Sequence, residues 1–156
     1  DWRGVGILPS DRGVTRDNIV ANVFGDGIKY GAQYAAYFGV VAANTVYNAA
    51  GHALNILDAN SVQSILAFNN TLSKIPSGKY AINVAAGTLA ANDMRRTFLD
   101  YNNVYLDGGA GGLYNAISAG VHDTNVDPQF TDAANYDFSV GTNLKAVGFP
   151  SLFANL

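Results

Sequence analysis

The sequence predicts an all-β chain wound as a β-solenoid of stacked parallel strands, and three observations carry that prediction. A short apolar motif returns four times along the chain, each copy followed by a Gly-bearing turn. Asn is as frequent as Gly, and Asn, Asp and Gly all favour sharp turns and left-handed backbone positions. All twelve acidic residues are Asp, whereas a helical protein would use Glu freely on its exposed faces.

The motif copies follow in order. The first is Ile19-Val20-Ala21-Asn22-Val23-Phe24, leading to Gly25-Asp26-Gly27. The second runs from Val40 to Asn48 around Asn44, with Gly51 after it; the third runs from Ile65 to Leu72 around Asn70, with Gly78 after it. The fourth runs from Phe98 to Tyr105 around Asn103, ahead of the turn Gly108 to Gly112. Counting from Asn22 to Asn44, Asn70 and Asn103 gives spacings of 22, 26 and 33 residues. Coils of about 22–26 residues fit three short strands and three turns, with one longer loop insertion at Ala85 to Thr97. Successive coils would lie about 4.8 Å apart, so that inward Val, Ile, Leu and Phe form ladders and Asn stacks at one corner. Tyr30, Tyr34, Tyr37 and Val41 also have helical spacing, but that stretch lacks Glu, Lys and Leu, and the strand reading is preferred.

Composition bounds the rest. About half the residues are apolar and 13% are charged, which is a globular balance. A net charge of −3 gives no electrostatic footprint for nucleic acid. The most apolar stretch, Tyr34 to Ala43, is too short for membrane insertion. There is no Cys for disulfides, thiolate ligands or nucleophiles. The chain opens at Asp1 without Met or a leader, and it reads as one β-helix segment of a longer protein. Within it, residues 1–14 lead in, 15–125 form the coils and 126–156 close the segment.

The repeats resemble those of right-handed parallel β-helix proteins, a group that includes pectate lyase-like enzymes, surface proteins and phage tailspikes. The run Asp127-Pro128-Gln129-Phe130-Thr131-Asp132, then Tyr136-Asp137-Phe138 and Ala146-Val147-x-Gly, is similar to an ending common in that group. The group usually carries Ser-Pro before the last element, where this chain has Leu144-Lys145. Repeats and ending together cover roughly residues 15 to 148. The resemblance implies a right-handed parallel β-helix, and enzymes of the group mostly cleave polysaccharides.

A hydrolase needs paired carboxylates, and Asp26, Asp58, Asp93 and Asp107 are scattered in turns. A lyase needs a basic residue, for which the candidates are Lys79, Arg95 and Arg96, with Lys29 further off. Asp123, Asn125 and Asp127 alternate like the start of a calcium loop, but the following Gly and the distal Glu are missing. Calcium is therefore the alternative to an expectation of no cofactor. His52 and His122 lack zinc-type spacing and read as surface or turn residues. Tyr30, Tyr34, Tyr37, Tyr80 and Tyr114 are the candidate outward rings for stacking on sugars, while Tyr47, Tyr101 and Tyr105 read as packing residues.

The expected function is a structural or adhesive segment of a surface-exposed assembly, a phage virion appendage or a bacterial surface protein, with glycan contacts along its sides. Its expected location is extracellular, on a cell or virion surface. Flanking chain or other subunits, a homotrimer among them, are the expected partners, because exposed coil ends invite association. The alternative is the C-terminal part of a polysaccharide lyase or depolymerase whose catalytic coils lie upstream.

Overall fold

The computed structural model describes residues 4–9, 13–30, 39–56, 64–84, 97–108 and 110–144. Among these residues the chain is all-β, with two short 3₁₀ turns near its end. The strands are β1 (Val14–Arg16), β2 (Ile19–Ala21), β3 (Ile28–Tyr30), β4 (Gly39–Ala42), β5 (Thr45–Tyr47) and β6 (Leu54–Ile56). They continue as β7 (Ile65–Phe68), β8 (Thr71–Ser73), β9 (Tyr80–Val84), β10 (Thr97–Asp100), β11 (Asn103–Tyr105) and β12 (Gly112–Asn115). Every strand pairs in parallel with the one three places along, giving the sheets β1-β4-β7-β10, β2-β5-β8-β11 and β3-β6-β9-β12. Three consecutive strands therefore make one coil, which is the connectivity of a parallel solenoid. Single bridges extend the stack at both ends, Ile7 to Ile28 and Thr124 to Asn103.

Alternation along each strand sends one face inward. On the second sheet Val20, Val46, Leu72 and Val104 stack in register and are almost wholly buried. On the third, Ile28, Leu54 and Ile82 form the inner row, with Tyr114 completing it in the last coil. Each buried aliphatic side chain stabilises the fold by about 1.5–3 kcal/mol relative to exposure. One coil alone could not shield such a row, but stacked coils shield each other. Gly39 is required here because a Cβ at that position would collide with the buried Tyr30 ring.

The Asn ladder exists, with a register that differs from the sequence expectation. Asn18, Asn44, Asn70, Asn102 and finally Asp123 stack at spacings of 26, 26, 32 and 21 residues. Each Asn donates from Nδ2 and from its backbone N–H to the Oδ1 of the next residue, at 2.9–3.2 Å for the three Asn–Asn steps. Asn22 and Asn103, counted into the series from sequence, belong elsewhere. Asn22 occupies the next corner, where its Oδ1 accepts from Asn48, and Asn103 pairs with Thr71 one position beyond the ladder. The left-handed backbone at the ladder corner lies one residue earlier, at Asp17, Ala43, Asn69 and Tyr101, with φ of 57°, 54°, 56° and 59°.

A second ladder runs along the third sheet with the opposite polarity. Asn115 Nδ2 donates to Asn83, Asn83 to Asn55, and Asn55 to the Asp26 carboxylate, at 2.8, 2.8 and 2.7 Å. Past the last coil the chain folds back along the outside of the second sheet. Phe130 and Phe138 pack on the Tyr47 ring with centroids 5.9 and 5.3 Å away. The fold-back is held by Thr131 N–H donating to Ser139 O and by an antiparallel bridge from Asp132 to Asp137.

Candidate functional site

The outward face of the second sheet places one residue per coil beneath this closing segment. Tyr47, Ser73 and Tyr105 stand in register there, on the opposite face from Val46, Leu72 and Val104. Tyr47 and Tyr105 are two coils apart, so their backbones are separated by about 9.6 Å with the small Ser73 between them. The result is a slot with tyrosine walls and a serine floor. Asp127, Pro128, Gln129 and Phe130 form its cover, and Asp107 lies at its edge. The slot is open to solvent along one side, with a volume of about 230 Å³, room for several waters or one small organic group.

The polar groups of this slot are only partly used. Ser73 is 1% exposed, and its hydroxyl has no hydrogen-bond partner. Asp127 Oδ1 accepts from Gln129 N–H at 2.8 Å, which fixes the turn around Pro128. Asp107 sits in a turn at φ 50° and is exposed. Lys74 approaches the far end of Tyr47, with Nζ 3.3 Å from the hydroxyl and 5.1 Å from the ring centre. Tyr47 and Tyr105, read from sequence as packing residues, are thus half-exposed walls of a cavity.

The residues singled out from sequence fare differently. Tyr30 is completely buried, which removes it from the outward rings: its strand parity turns it into the core with Ile28. Tyr114 also turns inward, and its hydroxyl donates to Asp123 Oδ2 at 2.7 Å. Burial, that hydrogen bond and the Asp123 and Asp100 charges push its ionisation far up. Tyr80 is half-buried, stacked on His52 at 5.8 Å, and Gly112 leaves the space its ring fills. Tyr34, Tyr37, Arg95, Arg96, Asp58 and Asp93 lie outside the described residues.

Lys79 is half-buried at the turn before β9, where its charge helps lower the His52 pKa. Asp123 is consumed by the ladder: its two oxygens accept from Asn102, Gly120 N–H and Tyr114. Asn125 and Asp127 are exposed, and Asp127 serves its own turn. No group of three or more His, Asp or Glu side chains converges among the described residues.

Both histidines sit in turns with specific partners. His122 Nδ1 lies 2.8 Å from Asp100 Oδ2, and its ring stacks on Tyr101 at 4.4 Å. Burial raises the Asp100 pKa, but hydrogen bonds from the His122 side chain and backbone and from Tyr101 outweigh it and hold the carboxyl below its ordinary range. His52 Nδ1 accepts from Tyr80 N–H at 2.9 Å, and burial lowers the imidazole below its usual pKa.

Comparison with known protein families, with curated proteins and with solved structures gives no match.

Proposed function

We propose that the chain is a structural segment of a surface-exposed assembly, a virion appendage or a bacterial surface protein, wound as a right-handed β-helix that packs sideways against copies of itself. Right-handed winding follows from the strong preference of parallel crossovers for that hand, about 98% of cases. The observation that carries the assembly reading is the outer face of the first sheet. Val14, Val40, Leu66 and Phe98 stack there in register, and Val14 and Phe98 are 63% and 38% exposed. The equivalent outward rows elsewhere are mixed or polar: on the second sheet the exposed Ile19 is followed by Thr45, Thr71 and Asn103, and on the third Lys29 is followed by Asn55 and Asn83. An apolar row repeated coil after coil on one face of three is the composition of a contact surface. Three such faces meeting around an axis would give a homotrimer.

Sedimentation of the chain across a range of concentrations tests this reading. The expected result is a concentration-dependent oligomer that Leu66→Asp dissociates while the β-type circular dichroism persists. A wild-type chain that stays monomeric at tens of micromolar and above, or an oligomer indifferent to Leu66→Asp, would overturn it.

A further inference from the structure

We propose that the slot between Tyr47 and Tyr105 binds a primary ammonium group carried by a small organic molecule. The site is on the second sheet, away from the apolar face of the first, and it stands whether or not the chain assembles. Three features on three elements define it. Ser73, from β8, supplies a hydroxyl that is almost fully buried yet unpartnered, and a group in that state normally has a partner when the site is occupied. Asp107, from the turn after β11, and Asp127, from the closing segment, bring two carboxylates to the same cavity. Neither takes part in an ion pair among the described residues. Tyr105 supplies an aromatic face, which attracts cations through the ring quadrupole, while the Tyr47 ring, already engaged by Lys74, Phe130 and Phe138, is the opposite wall.

The donor count favours ammonium. An alkylammonium carries three N–H donors and no acceptor. The slot offers three kinds of acceptor: the Asp107 carboxylate, the second oxygen of Asp127, and Ser73 Oγ. Both carboxylates are exposed, so the preference for a cation rests on their negative charge and their demand for donors, and an anion would be repelled. Lys74 does not fill this role, because its Nζ is engaged at the Tyr47 hydroxyl and ring and it does not line the cavity. The volume of about 230 Å³ fits a group of side-chain or monosaccharide size. An amino sugar and a lysine side chain present the same chemistry.

Titration of the full chain followed by NMR, reading the resonances of Ser73, Tyr105 and Asp107, tests the proposal. The probes are glucosamine, Nα-acetyl-lysine methylamide and, as the uncharged counterpart, N-acetylglucosamine. Saturable shifts with at least one amine and weaker binding of N-acetylglucosamine are expected. Saturation by glucosamine alone identifies a sugar source, by the lysine derivative alone a protein side chain, and by both a site that reads only the ammonium. Asp107→Asn is expected to weaken binding about tenfold by removing one charge-assisted bond. It preserves the fold because Asn adopts the left-handed backbone at this exposed position readily. Ser73→Ala is expected to weaken binding several-fold. Equal binding of N-acetylglucosamine, absence of saturation with either amine, or an affinity unchanged in Asp107→Asn would each overturn the proposal.

Discussion

Replacing Asn70 by Ala removes four side-chain hydrogen bonds from a place water does not reach. Asn70 is 1% exposed. Its Nδ2 donates to Val41 O at 2.8 Å and to Asn102 Oδ1 at 2.9 Å, while its Oδ1 accepts from the Asn44 backbone N–H at 3.1 Å and side chain at 3.0 Å. At roughly 1 kcal/mol for each net bond, the loss is about 4 kcal/mol, and the buried groups left without partners push it higher. That is a large part of the stability of an ordinary domain. Asn22→Gly is the matched control. It removes one exposed bond at a left-handed position that Gly tolerates, so its cost is below about 1 kcal/mol. Urea unfolding followed by circular dichroism compares the two. Asn70→Asp keeps the acceptor for Asn44 but turns a carboxylate oxygen on the Val41 and Asn102 acceptors in a buried place, so its midpoint is expected to fall at least as low as that of Asn70→Ala. A midpoint for Asn70→Ala no lower than that of Asn22→Gly would refute the claim that this ladder holds the coils together.

Two further predictions follow from the core and from one titrating group. Gly39→Ala drives a Cβ into the buried Tyr30 ring and lowers stability by about 1–3 kcal/mol; partial rescue by Tyr30→Leu in the same chain identifies the collision, and a neutral Gly39→Ala would contradict it. His52 is held below its usual pKa of 6.5, chiefly by burial and further by Lys79, against the opposing pull of Asp26. Because its folded pKa is depressed, its contribution is complete above 6.5 and is lost as pH falls through the lowered value. The melting temperature should therefore drop more steeply below pH 6.5 in the wild type than in His52→Asn, which keeps an acceptor for Tyr80 N–H and does not titrate. Identical slopes would exclude His52 as the group responsible.

The sequence was legible where periodicity is strict and misleading where two polar residues compete for one corner. Alternating apolar residues and Asn-rich turns indicated stacked parallel strands, and the structure has them. The ladder register failed at both ends for local reasons. Asn18 and Asn22 flank the same three-residue strand, β2, and each occupies a corner, so only pairing with Asn44 distinguishes them. Asn102 and Asn103 are adjacent and both buried, and the register of β11 against β8 decides between them. The slot was missed for the same reason. Tyr47, Ser73 and Tyr105 each stand three residues after a true ladder Asn, so the correct register would have aligned them. Its cover could not be found that way, because the closing segment returns from far along the chain and leaves no periodic trace.

The two ladders also account for the acid at which each of them stops. An Asn passes a hydrogen bond along because it both donates and accepts, whereas an ionised Asp only accepts and therefore stops the series. Asp123 ends the first ladder at the last coil and Asp26 ends the second at the first coil. Asp123 takes the place of an Asn at the same short reach from the backbone, whereas Asp26 reaches Asn55 from three residues before its register partner Lys29. Glu, one methylene longer, would displace its carboxylate from the stacking position. Opposite polarity then leaves each end of the stack with one stopped corner and one open one. Asn18 Oδ1 has no donor among the described residues at the first coil, and Asn115 Oδ1 has none at the last. A coil added at either end would find an acceptor already in register for its own Asn.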